Sequence, residues 1–388
     1  MYILMIARGY PTQEFPQWGC FEQDQAEALC NSGHQVVVLS VDSRFLWRMR
    51  KIGVTHYYKN GVNYYNSFWI PGIVTNYISR RLNYFFKKKQ IKLLYKLVQE
   101  KYGKPDIIYG QFFFNTVMGV YLQKKYNIPL VGIEHAARFN LDKLDAYTHY
   151  WGSYAYSNAD GIITVSQSLK QRILYHFNKQ STTINNLVHP IFFQQTLLPQ
   201  QNADFHFVST GSLVYRKGFD LLIKAFAEFC KNRNNAYLTI IGEGEERENL
   251  WKLSDMLGIT EKVRLIGQKN KTEIAQILSC SSVFVLPSRS ENFSVAVLEA
   301  LAIGLPVIAT LCGGIQECVC VKNGILIPVE DVESLSEAMK KIYCNIDRYN
   351  RQDISKDCFE RFSPSVIADK LVTVFNEVIE NRSTACNN

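Results

Sequence analysis

The 388-residue chain has no Cys-x-x-Cys pair, no Asp-x-Asp, no G-x-G-x-x-G and no apolar run long enough to span a bilayer. Its ten cysteines, Cys20, Cys30, Cys230, Cys280, Cys312, Cys318, Cys320, Cys344, Cys358 and Cys386, are scattered, which argues against a disulfide framework and for a reduced, cytosolic chain. The opening "YILMIA" is too short for a signal peptide or membrane helix and reads as a first buried strand. In "IIGEGEERENL", Gly242 and Gly244 are followed by Arg247 where a third glycine would belong, which argues against an NAD-dependent dehydrogenase. At this length one hydrophobic core is insufficient, and two domains of somewhat under 200 residues are expected.

Acidic residues are scarce in one half only. Residues 1–200 carry 22 Lys+Arg against 11 Asp+Glu, while the rest carries 21 against 24. The basic surface peaks at residues 80–104, where Arg80, Arg81, Lys87, Lys88, Lys89, Lys92, Lys96, Lys101 and Lys104 face Glu100 alone. Ile91, Leu94, Tyr95 and Val98 recur there at helical spacing. Two readings stay open: an amphipathic helix drawn to an anionic membrane surface, and a solvated helix face packed on its own domain. No nucleic-acid motif accompanies the charge.

What is present is alternation. "YILMIA", "QVVVLS", "PDIIYG", "PLVGIEH" and "DGIITVS" are apolar segments that open into polar or helical ones. Past a polar linker at 194–204 the pattern restarts with "FHFVST", "AYLTIIG", "KVRLIG", "SVFVLPS" and "PVIAT", each leading into a helical stretch, the last into "GIQECVC". This predicts an α/β chain of two doubly wound parallel-sheet domains, 1–195 and 196–364, with a last helix over 365–388 free to cross back onto the first. In such sheets, phosphate ligands bind at the carboxyl edge of the strands, where helix N-termini present N–H groups.

That edge collects suggestive residues. Gly211 and Gly218 allow a tight turn around Ser212, with Arg216 and Lys217 just before a helix start. Gly242 with Gly244, and Gly313 with Gly314, mark two more turns. A diphosphate held by N–H groups and a lysine suits such a site. Glu291 lies in the loop after "SVFVLPS", and Glu299 in the helix beginning near Ser294. By spacing alone, two surface glutamates flanking a helix cap are the favoured reading.

Together these segments resemble the nucleotide-sugar-dependent, retaining glycosyltransferases of family 4. The likeness runs through "GSLVYRKGFDLLIKAF", "IIGEGEERENL", "VRLIGQ", "VFVLPSRSENFSVAVLEALAIGLPVIATLCGGIQECV" and "NGILIPVEDVESLSEAM". It is looser in the first half, in "RGYPTQEFPQWGCFEQDQAEALCNSGHQVVVLS", "GIEHAAR" and "ITVSQSLKQRIL". The resemblance implies a GT-B fold, two Rossmann-like domains facing across a cleft. It implies that Glu291 binds the donor sugar and Glu299 the ribose, that Lys217 neutralises the diphosphate, and that the N–H groups of Phe293 and Ser294 point at sugar and phosphate. His135 would stand beside the sugar and Gly19 face the phosphates. The nucleotide-diphosphate sugar would be a co-substrate, with no cofactor and, lacking Asp-x-Asp, no metal. The acceptor would be a glycan or lipid-linked oligosaccharide, in a cytoplasmic enzyme peripheral to the membrane.

Two departures stand out. Ser212 occupies a position where the family often has arginine, leaving Arg216 as a substitute charge. Asn292 follows Glu291 where glycine is common, and asparagine tolerates the left-handed backbone such a turn would need. The competing readings are a non-catalytic membrane-associated subunit of a glycan-assembly complex and a nucleotide-sugar epimerase.

Overall fold

The computed structural model describes residues 1–11, 18–42, 51–68, 80–195, 204–231 and 233–387, without the side chains of 80, 81 and 385–387. The chain divides into two compact units, Met1–Asn185 with Pro364–Asn388, and Asn186–Ser363. The division falls earlier than the expected 195/196. Residues 186–193 are held by the second unit: the Val188 N–H donates to Phe362 O at 3.0 Å, and Asn186 Nδ2 to Phe293 O at 3.3 Å. Of the expected linker, 196–203 lies outside the described residues.

The first unit contains β1 (Tyr2–Ala7), β2 (Gln35–Asp42), β3 (Gly53–Lys59), β4 (Val62–Phe68), β5 (Ile107–Gln111), β6 (Leu130–Glu134), β7 (Gly161–Thr164) and β8 (Thr182–Thr183), in the order β3-β4-β2-β1-β5-β6-β7-β8. All neighbours are parallel except β3 and β4. That antiparallel hairpin departs from the purely parallel expectation. It turns at Asn60 and Gly61, with φ of 48° and 82°, the positive pair that a two-residue hairpin requires. β1 and β5 are fully inward on both faces, as sheet centres covered by helices must be.

The last helix, Pro364–Asn387, belongs to this unit. Proline fits its first turn, where the missing N–H is not needed. Ile367, Leu371 and Phe375, spaced one turn apart, are fully buried, and Phe375 meets Tyr109 of β5 edge to face at 5.0 Å. Arg382 fixes the far end through Asp160 at 2.6 Å and Asn127 at 2.9 Å.

The second unit is a six-stranded parallel sheet of β9 (Phe205–Thr210), β10 (Ala236–Ile241), β11 (Val263–Leu265), β12 (Val283–Leu286), β13 (Val307–Thr310) and β14 (Gly324–Ile327), ordered β11-β10-β9-β12-β13-β14. Its core is aromatic: Phe207 of β9 packs on Phe226 and Phe229 of helix Phe219–Cys230, whose apolar positions recur at three and four. One expected helix shrinks. "GIQECVC" forms a single 3₁₀ turn, Ile315–Glu317, because Asn323 captures the Cys320 N–H and the Cys318 carbonyl and ends it.

Candidate functional site

In sequence order the second sheet reads 3-2-1-4-5-6, so the direction of winding reverses between β9 and β12. At such a reversal the two outgoing loops diverge and leave a crevice at the carboxyl edge. Here these loops are 211–218, after β9, and 287–294, after β12. They are tied by main chain: the Arg289 N–H donates to Arg216 O at 2.9 Å.

Their side chains converge on one carboxylate. Lys217 Nζ donates to Glu291 Oε1 at 2.5 Å, Ser288 Oγ donates to the same oxygen at 2.9 Å, and Arg216 Nη1 lies 3.5 Å from Oε2. Arg216 also donates to Ser290 O at 2.6 Å. The Lys217 and Glu291 side chains are only 13% and 9% exposed, so neither charge could sit there alone without a cost of several kcal/mol. Burial works to raise the Glu291 carboxyl, but Lys217, Arg216 and the two hydrogen bonds outweigh it and hold the group below the ordinary carboxylate range.

The backbone around this carboxylate is close-packed. A Cβ on Gly242 would stand 1.9 Å from Gly211 O, and one on Gly313 would stand 1.9 Å from Glu291 O. Gly313 carries the left-handed conformation, φ 59°, while the Gly314 N–H donates to Asn292 O at 2.7 Å. Asn292 itself is not left-handed, which corrects the sequence expectation: the bend is made across the crevice, by the glycine facing it. Ser294 precedes helix Val295–Ile303 as its N-cap, and Phe293 is buried beside it. The first N–H groups of that helix have no acceptors within it. Glu299 is half-buried on the same helix, and Ser212 is exposed.

Arg289 braces both loops. It makes a fork to Asp220 at 2.7 and 2.9 Å, bonds Glu330 at 2.5 and 3.3 Å, donates to Tyr215 O at 2.7 Å and lies 3.9 Å over the Tyr215 ring. These partners raise its pKa, Asp220 foremost. Glu330 accepts a left-handed backbone, φ 60°, to reach it.

Gly19 and His135 belong to the first unit, which has its own reversal, between β1 and β5. Gly19, φ 74°, caps helix Cys20–Asn31, and a Cβ there would stand 2.3 Å from Gly9 O. His135 Nε2 lies 3.1 Å from Gln111 Oε1, and its ring centre lies 4.9 Å from that of Phe112. Phe112 has φ 63°, a conformation a bulky residue holds only when its surroundings impose it. Arg8 stacks on its ring at 4.0 Å while forking onto buried Glu22 at 2.6 and 3.1 Å. Beneath them Glu134 accepts from the N–H groups of Phe113, His135 and Ala136 and from Tyr156 Oη, at 2.7–2.9 Å. Burial pushes this carboxyl up against those four donors.

A cavity of about 640 Å³, lined by Gly244, Arg247, Trp251, Ser254 and Thr260 among others, does not include Arg216, Lys217 or Glu291. No three His, Cys, Asp or Glu side chains gather as metal ligands among the described residues.

Residues 23–190 match the family model Glycosyltransferase Family 4, and residues 192–356 match Glycosyl transferases group 1. The chain belongs to this glycosyltransferase family. An uncharacterised glycosyltransferase of Methanocaldococcus jannaschii is 26% identical over 405 residues, covering 98% of this chain and 99% of its own. Sucrose-phosphate synthase from Thermosynechococcus elongatus superposes with a TM-score of 0.78 at 19% identity, over 98% of this chain and 100% of that one. HepE of Anabaena, in complex with UDP, gives 0.73 at 16%, over 97% and 99%. The fold of this glycosyltransferase is accordingly GT-B.

Of the residues expected from sequence, the glycosyltransferase brings Arg216, Lys217 and Glu291 into contact, and packs Gly211 against Gly242 beside them. Sequence reasoning missed Ser288, Arg289 and Asp220, although Arg289 stands two residues before Glu291. It also missed Arg8, Phe112 and Glu134, for which no local signal exists.

Arg289→Ala is expected to destabilise the fold by about 2 kcal/mol, the scale of losing hydrogen bonds to a charged group, and Arg289→Lys to recover less than half because ammonium cannot reproduce the fork. Denaturant midpoints check this. Because the Glu291 pKa is depressed on folding, its contribution to stability is present above the unfolded value, about 4.3, and is lost as pH falls through the lower folded value. The stability gap between the native chain and Glu291→Gln should therefore be constant near neutrality and close below about pH 4. Unfolding free energies measured across that range decide it.

Proposed function

We propose that this glycosyltransferase moves a sugar from a nucleotide-diphosphate donor to a hydroxyl of a glycan or lipid-linked acceptor, with retention and without a metal. The carrying observation is the buried Lys217–Glu291 pair where β9 and β12 diverge. A diphosphate at this carboxyl edge meets Lys217 and Arg216, and helix Val295–Ile303 presents its positive end from Phe293 and Ser294. UDP in complex with a fold neighbour supports a nucleotide-diphosphate donor.

Transfer breaks the bond between the anomeric carbon and the donor phosphate oxygen. The acceptor oxygen forms the new bond from the same face, and its proton passes to the departing phosphate. Charge grows on that phosphate as the bond lengthens, and Lys217 and Arg216, already fixed in place, stabilise it without reorganising. Glu291, ionised by those cations, accepts hydrogen bonds from donor-sugar hydroxyls, Glu299 holds the ribose, and the close backbone at Gly211 and Gly242 leaves room for the nucleotide. The lysine-rich helix Arg80–Tyr102 supports a cytoplasmic enzyme working at an anionic membrane surface, and a surface polysaccharide is the product that suits it.

Lys217→Ala is expected to weaken UDP binding at least tenfold, since a hydrogen bond to a charged group contributes about 1.5–3 kcal/mol. Glu291→Gln should bind UDP within about threefold of the native chain and yet slow turnover of the sugar nucleotide about a hundredfold. Chelator should leave turnover unchanged. Calorimetry with UDP and turnover assays over a panel of sugar nucleotides measure these; native behaviour in both variants would remove the site from this pair.

A further inference from the structure

A cavity of about 400 Å³ lies in the first unit, apart from every residue assigned to the donor. Three helices wall it. Arg80–Tyr102 contributes Tyr84 and Lys87, Phe112–Tyr126 contributes Phe114 and Met118, and Ala146–Asn158 contributes Tyr147 and Trp151. Each pair is three or four residues apart, so each helix offers one face. The rings close on one another: Tyr84 and Trp151 are 4.5 Å apart, and Phe114 and Tyr147 are 5.6 Å apart.

Three observations say what would fill it. First, six of the eight lining residues are aromatic or aliphatic, with Asn83 and Lys87 the two others, which suits an apolar chain that carries a polar head. Second, one cation lines the cavity and two more stand within a helical turn of lining residues. Lys87 is part of the lining, Lys88 Nζ stands 4.6 Å over Tyr121, one turn beyond Met118, and Lys124 Nζ stands 5.4 Å over Tyr154, one turn beyond Trp151. Third, the cavity adjoins the carboxyl-edge cluster, since Phe114 follows strained Phe112 in the first turn of the same helix.

We propose that this cavity is the subsite for the apolar chain of a lipid phosphate, with Lys87 and Lys88 on the phosphate, and so that the acceptor is presented on a phosphate-linked lipid. This rests on the reading of a lipid-linked acceptor given above. It differs from attraction to a membrane surface, because one chain is taken out of water into a walled site whose occupancy saturates.

Farnesyl phosphate, below its aggregation concentration, is the probe, titrated by equilibrium dialysis into the full chain beside farnesol, inorganic phosphate and phosphatidylglycerol vesicles. Saturable binding is expected for farnesyl phosphate, with farnesol and inorganic phosphate each at least tenfold weaker. Lys87→Ala should weaken it about tenfold, as loss of one charge-assisted contact does, and Val117→Trp, which puts bulk into the lining, should abolish it. UDP affinity should stay native in both variants. If Val117→Trp loses its circular dichroism signal, Lys87→Ala carries the test. Equal binding by the native chain and Lys87→Ala would overturn the proposal, as would binding to vesicles without binding of the monomer. UDP binding without farnesyl phosphate binding sinks the subsite and leaves the donor site standing. The converse result sinks the donor reading alone.

Discussion

A lysine and a glutamate 74 positions apart, both nearly buried and 2.5 Å from each other, are the constraint on which the second unit turns. Neither charge tolerates that burial alone, so the loops after β9 and β12 must meet there. The rest follows from that meeting. Gly242 and Gly313 leave out side chains that would push the backbones apart, and Arg289, in the second loop, reaches the first through Tyr215 O and is anchored on Asp220 and Glu330. The strand order makes the meeting possible, because β9 and β12 are neighbours from which the chain winds in opposite directions.

The two units use the same device with different chemistry. Where β1 and β5 diverge, the loops carry Arg8 and Phe112, and the central carboxylate is Glu22, held by the fork of Arg8 where Glu291 is held chiefly by a lysine. Glu134 adds a second buried carboxyl, which fixes Phe113 and His135 through their main-chain N–H groups. Strain at Phe112 is localised where these contacts over-determine the chain. A rigid edge in each unit is what glycosyl transfer asks for, since the charge that develops in transfer is stabilised best by groups that need not move.

Most of the architecture was legible because parallel strands covered on both faces write themselves as short apolar runs, and helices between them keep their 3.6 period. Helices Phe219–Cys230 and Lys271–Ser279 follow β9 and β11, where the alternation of apolar and helical stretches put them. The β3–β4 hairpin escaped because β3 alternates exposed and partly exposed residues and carries no apolar run, although Asn60-Gly61 marked the turn. At the site, Lys217 and Glu291 were readable as residue types in the right loops, but their ion pair was not, because contact across 74 positions depends on sheet order. Asn292 misled because its propensity was real while the need for it lay elsewhere, at Gly313.

Amide hydrogen exchange with and without UDP tests the central claim most directly, that the donor sits at the divergence of β9 and β12. Protection is expected over 211–218, 242–244 and 287–294, and should vanish in Lys217→Ala. Protection confined instead to helix Arg247–Met256 and Thr260–Leu265, around the larger cavity, would contradict it.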